Sequence, residues 1–270
     1  MRVERDAVAK VLMGQLEDTP LKVALALSGG IDSLSIMFAL LRLGREVTAY
    51  SFRLDGIQST DFAEARRWSD KVGVNFNPIV LPTEIERLKQ DVKILVDQYG
   101  LSKKTDIECA WAFLYLLPVV QESVLVTGSA SDGHFGISKK AMIHFRHSTE
   151  KLDEFRIMTF SNPNYAQQVT IKQLGQIYNV DVKVPYASQP MRDLFMGCSW
   201  NELNTPKQKQ PILDSFIPDF KQGKVRQHTN LQLGDSKIAE HFTKLLNTDW
   251  NTQRHKSVVG IYNSVVKGEL

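Results

Sequence analysis

Residues 21–33 read Leu-Lys-Val-Ala-Leu-Ala-Leu-Ser-Gly-Gly-Ile-Asp-Ser. Leu21–Leu27 is a short apolar run that stops at Ser28-Gly29-Gly30, as a buried strand does. A helical pattern follows at once, with Leu34, Met37, Phe38 and Leu41 on one face and Gly44 as its stop. A strand that passes through glycines into a helix N-terminus is a setting for phosphate. Glycine lets backbone approach an oxyanion, and the helix end offers free N–H groups and positive dipole charge. Ser28 and Ser33 can donate hydroxyl hydrogen bonds. Asp32 among phosphates would be repelled unless a divalent cation bridged it, so Asp32 implies Mg²⁺. The string lacks the lysine of GxxxxGKS/T and is not a Walker loop. A plain Gly-Gly turn with Asp32 as a helix-start charge is the bland alternative; the complete Ser28–Ser33 string favours the phosphate cradle.

Outward from this loop, residues 5–17 place Val8, Val11, Leu12 and Leu16 on one helical face, ended by Thr19-Pro20. Val47–Leu54 reads as a second strand and Thr60–Val72 as a helix with Phe62, Ala65 and Val72 inward. Phe76–Leu81 reads as a third strand, 84–99 and 106–121 as two long helices, and Val124–Val126 as a fourth strand ending at Thr127-Gly128. The order βαβαβααβ predicts an α/β fold, a doubly wound parallel sheet covered on both faces. Later residues are less regular: a turn cluster at Ser161-Asn-Pro-Asn, a helix over Val169–Tyr178, a short extended piece at Val182–Tyr186, and short helices punctuated by Pro206, Pro211 and Pro218. The expected organisation is a helical extension over 1–20, a core over 21–200 and a helical C-terminal part over 201–270, with no boundary sharp enough to exclude one domain.

The 270 residues, 43% hydrophobic and 23% charged, suit a globular protein with a sizeable core. The longest apolar run, Cys109–Val120, is shorter than the roughly 20 residues a membrane span needs. The charged start shows no secretory signal, and the two cysteines, Cys109 and Cys198, form neither CxxC nor a disulfide framework. A cytoplasmic location without membrane association is therefore expected. A net charge of +3 gives only weak support for nucleic acid.

Ser28–Ser33 resembles the SGGxDS signature of the PP-loop ATP pyrophosphatases, the adenine nucleotide alpha hydrolase superfamily, which cleave ATP between the α and β phosphates and transfer AMP to an oxygen. Val124–Gly136, VLVTGSASDGHFG, is similar to VLLTGEGADELFGG of asparagine synthetases, with Gly128, Asp132, Phe135 and Gly136 matching. In that family the aspartate is a second Mg²⁺–pyrophosphate ligand, which implies that Asp32 and Asp132 share the metal. Thr60–Arg66 resembles the family helix SDxxxARxxA, Val182–Tyr186 resembles ARVPF, and Met191–Met196 the helix after it. Ser51-Phe52 occupies the place that contacts adenine. The resemblance covers about residues 21–215 and is strongest to the synthetase domain of asparagine synthetases.

It implies an ATP- and Mg²⁺-dependent ligase. Ser28, Gly29, Gly30 and Ser33 would cradle pyrophosphate, and the backbone of Leu27, Phe52 and Gly128 would hold the nucleoside. An acceptor carboxylate or amide would be adenylated, and ammonia or an amine would displace AMP. The first strand starts too near the N-terminus for a glutaminase in cis, and residue 2 is Arg rather than the family's cysteine, so ammonia would be free or supplied by a separate donor. The family glutamate after the first glycine is Ser129 here and the one after the aspartate is Gly133, which opens the acceptor chemistry. The downstream catalytic lysine has no clean match; Lys209, one residue out of register, is taken as catalytic with Asp32 and Asp132. Lys207 and Lys139 are further candidates, and for each of the three, Lys209 included, a solvated lysine is the commoner reading.

Two rivals stand beside this reading: a tRNA- or nucleobase-modifying ATP pyrophosphatase, and a non-catalytic nucleotide-binding module. Thiolation needs a cysteine to carry sulfur; Cys109 reads as a core thiol, and Cys198 lies near a Gly-Cys-Ser turn where it could be exposed, but has no partner cysteine. Two cysteines cannot build the zinc cluster of the deazaguanine branch. His144 and His147 read as surface histidines, and His134 either touches phosphate or packs. Lys207, Lys209, Lys221, Lys224 and Arg226 could face RNA, but aromatic interleaving is limited to Phe216 and Phe220, and nucleic acid is not favoured. Trp68, Trp111, Trp200 and Trp250 are assigned to packing.

Overall fold

Strand residues that alternate between two apolar layers build this molecule. In the computed structural model, which describes residues 3–161, 166–223 and 236–270, five parallel strands form one sheet in the order β3–β2–β1–β4–β5. They are β1 (Lys22–Ala26), β2 (Glu46–Leu54), β3 (Asn75–Leu81), β4 (Val124–Thr127) and β5 (Asp181–Lys183). The fold is the expected α/β doubly wound sheet. Val23 and Leu25 of β1, Val47 and Ala49 of β2 and Val126 of β4 point into one core; Ala24, Tyr50 and Leu125 point into the other. Burial on both faces explains why the central strands read as continuous apolar runs rather than as alternation. Pro78 sits in β3, an edge strand, where a missing N–H costs least.

The first core lies under α1 (Ala7–Leu16), α2 (Ile31–Arg42) and α3 (Thr60–Val72), with Leu12, Leu34, Phe38 and Trp68 buried in it. The second lies under α4 (Ile85–Lys93), α5 (Lys104–Trp111) and the helix Val258–Val266, around Leu88, Trp111, Ile261 and Tyr262. Residues after 200 serve both: Ile212, Phe216 and Phe220 enter the first core, and Ile238, Phe242 and Leu245 the second. The Ser215 hydroxyl donates to the Arg5 carbonyl at 2.8 Å, tying the C-terminal part to the N-terminal segment.

Several expected details change. The buried residues of α3 are Ala65, Trp68 and Ser69; Phe62 and Val72 are only partly covered. Phe62 meets Phe76 of the edge strand edge-on at 5.3 Å and carries the Arg53 guanidinium over its ring, so it seals the sheet's rim. The helix expected over 84–99 passes from α4 into a π-helical turn at Ile94–Gln98. The one expected over 106–121 starts at Lys104, divides after Trp111, and ends in a 3-10 turn containing Pro118. Proline's missing N–H and fixed φ account for that stop. The turn cluster begins where the helix Thr149–Ser161 ends; Asn162, Pro163 and Asn164 lie outside the described residues. Among the described residues, no helix is long and apolar enough to cross a membrane.

Candidate active site

The loop after β1 is held by its own serines. The Ser28 N–H donates to Ser33 Oγ (3.2 Å), the Gly30 N–H to Ser28 Oγ (3.3 Å), and the Ser33 hydroxyl to the Gly30 carbonyl (3.2 Å). Gly30 is the N-cap of α2, and Asp32 lies in that helix's first turn. Gly29 has φ +73°, and a Cβ there would stand 2.7 Å from the Ala65 nitrogen and from Glu64 Cβ. Only glycine permits both that dihedral and that approach to α3.

The loop after β4 comes against the first one, because β1 and β4 are neighbours. Ligands in open α/β sheets bind outside the carboxyl ends of strands at such a reversal of strand order. A Cβ on Gly128 would lie 3.1 Å from the Ser33 nitrogen and 3.2 Å from Asp32 Cβ. The buried Ser131 hydroxyl donates to Asp32 Oδ1 at 2.8 Å. Lys209 Nζ donates to Asp32 Oδ2 at 2.5 Å and to Asp132 Oδ1 at 2.6 Å.

The three residues expected to be catalytic thus meet at the Lys209 ammonium, which touches both aspartates. The solvated reading of Lys209 is corrected: it is 1% exposed, at the head of the helix Gln210–Ser215. Burial works against its ammonium, but the Asp132 and Asp32 carboxylates outweigh that cost and hold its pKa above the ordinary lysine value. Lys207 is exposed, and the side chain of Lys139 lies outside the described residues.

A cavity of about 170 Å³ opens beside these loops, lined by Leu27, Ser28, Asp32, Ser33, Phe52 and Gly128. Gly29 is turned toward α3 instead. Ser129, noted as a departure, also lines the cavity and shares a 2.9 Å hydrogen bond with the Thr127 hydroxyl. Ser51 lines the cavity beside Phe52, whereas sequence reading missed Ser59, Asp61, Phe113 and Ser236 as wall residues; nothing in their local sequence marks them beyond a place near a helix start or within an apolar run. Cys109 is a correction: it is half-buried and lines the cavity rather than the core, because α5 turns that side of its helix to the loops. Cys198 is the opposite correction: it is buried, its thiol pushed up by burial, since the turn after Met196 folds inward.

The remaining candidates divide plainly. His134 is buried, with its Nε2 hydrogen-bonded to the Tyr186 carbonyl at 2.6 Å. Burial brings its pKa down to about 3, so it is neutral and Nε2–H donates. His144 and His147 are exposed, Trp68 and Trp111 are fully buried, and Trp200 and Trp250 are partly buried. Phe216 and Phe220 pack on Phe38 in the core and offer no stacking platform; Lys224 and Arg226 lie outside the described residues.

Comparison with known proteins bears on this geometry directly. The sequence profile described as asparagine synthase matches residues 5–181 of this 270-residue chain, both loops included. The chain belongs to the asparagine synthase family. It is therefore an ATP-using enzyme type of the PP-loop superfamily, as the SGGxDS resemblance implied. Lys209 lies beyond the matched stretch, so its place beside the asparagine synthase loops is evident only in three dimensions. Curated proteins give no match. Among solved structures, the chain is similar to the U34-tRNA thiolase NcsA from Methanococcus maripaludis with its 4Fe-4S cluster, at 15% identity over 98% of this chain and 76% of that one, TM-score 0.41. It is also similar to a predicted subunit of tRNA methyltransferase from Methanocaldococcus jannaschii, at 14% identity over 65% of this chain and 74% of that one, TM-score 0.35.

Proposed function

We propose that the protein is an ATP- and Mg²⁺-dependent synthetase that adenylates a carboxylate or amide and then joins the acceptor to ammonia or an amine. The observation that carries this reading is the Lys209 ammonium bridging Asp32 and Asp132 beside the cavity. In the first step an acceptor oxygen attacks the α-phosphorus, and the bond to the α–β bridging oxygen breaks with its electron pair leaving on pyrophosphate. In the second step the amine nitrogen attacks the activated carbon, loses a proton, and AMP departs.

Pyrophosphate is the most highly charged species formed, so preorganised donors and cations at its position contribute most. The N–H groups of the Ser28–Ser33 loop, the Ser28 and Ser33 hydroxyls and the Lys209 ammonium supply them. Leu27 and Phe52 give the cavity apolar walls suited to a nucleoside, and Gly128 lets backbone approach it. The donor set suits Mg²⁺: Asp32 and Asp132 offer carboxylate oxygens, with the Ser28 and Ser33 hydroxyls beside them. Among the described residues no cluster of three or more His, Cys, Asp or Glu side chains is placed to hold a metal, so the ion's other ligands would come from phosphate and water. Held by Asp32 and Asp132, Mg²⁺ would neutralise charge on the leaving pyrophosphate.

The test incubates the full chain with ATP, Mg²⁺ and a panel of amino acids, amines and nucleobases, and measures AMP and pyrophosphate. Asp32→Asn is expected to lower AMP formation by about 10²–10³-fold; unchanged AMP release overturns the mechanism. A second reading, ATP-dependent modification of RNA or a nucleobase, is favoured by the Cys109 thiol on the cavity wall, where a sulfur carrier would be needed. In that case tRNA stimulates AMP release, the stimulation falls steeply with salt, and Cys109→Ser abolishes modification but not ATP binding. ATP binding without turnover under every acceptor would identify a nucleotide-binding module.

A further inference from the structure

Asn204 is 7% exposed and closes the helix Trp200–Asn204. Its Nδ2 donates to the Phe135 carbonyl at 3.0 Å and to the Trp200 carbonyl at 3.0 Å, while its Oδ1 accepts the Lys209 N–H at 3.3 Å. Phe135 ends the short helix Ser131–Phe135 that carries Asp132. Lys209 has φ +59°, a left-handed conformation costly for a residue with a Cβ, so something must hold it there. A single amide therefore spans the backbone that bears Asp132 and the backbone that bears Lys209.

We propose that Asn204 is a positioning residue that sets where the Lys209 ammonium sits between Asp32 and Asp132. A primary amide is suited to the task because it donates and accepts at once; a carboxylate cannot donate, and an apolar side chain does neither. Without it, the buried Lys209 N–H and the Phe135 carbonyl lose a partner, and the turn that places Lys209 is free to relax. A lysine side chain has many rotamers, so anchoring its backbone is the effective way to fix where its ammonium falls. Asn204 lies next to none of the cavity-lining residues in sequence and acts only through Lys209 and Asp132. The proposal rests on the reading that Lys209 acts on the phosphates of ATP, but its first test does not require turnover.

That test is a short pulse of amine acylation with N-hydroxysuccinimidyl acetate on the full chain, read lysine by lysine by peptide mass spectrometry. In the unaltered protein, Lys209 is expected to react at least ~100-fold more slowly than exposed Lys207. In Asn204→Ala, labelling of Lys209 rises by roughly ten-fold or more, while Lys89, buried between Glu86 and Asp249, stays protected. Asn204→Asp, which keeps size and the acceptor toward Lys209, shows a smaller rise and serves alone if the alanine variant does not fold. Unchanged Lys209 protection in a folded variant overturns the proposal. So does an equal rise at Lys89, which would mark general loosening.

In the ATP assay, Asn204→Ala is expected to lower kcat by about ten-fold or more with KM for ATP little changed, and to add nothing to the loss in Lys209→Met. An additive loss in the double variant overturns the proposal. If the unaltered protein releases no AMP with any acceptor, the synthetase reading fails while the labelling result still decides the role of Asn204.

Discussion

Lys209 illustrates how a buried charge can be kept. Its ammonium has two carboxylate partners within 2.6 Å, and Asp32 is further satisfied by the Ser131 hydroxyl. Removing the cation would leave two carboxylates facing one site. Lys209→Met is therefore expected to lower stability by about 1–3 kcal/mol in denaturant titration without divalent ions, less than for a fully buried pair because both aspartates keep some solvent. Added Mg²⁺ should recover more of the variant's stability than it adds to the unaltered protein; no recovery would show that the carboxylates do not bind the ion.

A second buried group sets a pH dependence. His241 is buried against Trp111, and neither ring nitrogen has a partner among the described residues. Burial, aided by Lys244 and opposed by Glu84, brings its pKa down to about 4. The unfolded chain binds the proton more readily, so stability falls as pH drops through the window between the ordinary histidine value and about 4. From pH 7 to pH 5 the loss is expected to be about 1–2 kcal/mol. His241→Phe should flatten that slope, and an unchanged slope in thermal or denaturant unfolding would refute the assignment.

At the scale of elements, the site depends on how closely two loops and one helix approach. Gly29→Ala would force a Cβ onto the backbone of α3 and strain φ +73°. A loss of about 2–4 kcal/mol is expected, together with loss of nucleotide-induced thermal stabilisation; retention of both would mean the loop can shift freely. Element existence was legible in sequence because apolar periodicity and glycine stops are local signals: β1, α2 and the glycine loop fall where residues 21–44 place them. Which face each helix turns inward was less legible. Phe62 is apolar, but α3 lies over the sheet so that Ala65, Trp68 and Ser69 are buried and Val72 packs against the core's margin, while Phe62 meets Phe76 at the rim. The helix breaks at Ile94 and after Trp111 leave no mark in a single segment's composition.

At the scale of the whole molecule, residues after 200 complete both apolar layers, and Ser215 is bonded to the backbone of Arg5. A single cooperative unfolding transition is expected by calorimetry; two separated transitions would show that residues 201–270 fold as an independent part. Saturating Mg²⁺–ATP should raise stability by about 2.7 kcal/mol at a hundred-fold excess over Kd, and Asp32→Asn should abolish most of that gain.

The chain's own order of residues determined the parallel α/β sheet, the glycine loop at Ser28–Ser33 and the second loop around Asp132, because each is written in contiguous residues whose periodicity and glycines act locally. Tertiary structure alone decided that Lys209, 177 positions from Asp32, is buried between two aspartates. It also decided that Cys109 faces the cavity while Cys198 does not, and that Asn204 joins the backbones bearing Asp132 and Lys209. The reason is that burial and charge pairing depend on which distant segments the folded cores bring together, and no local pattern specifies that meeting.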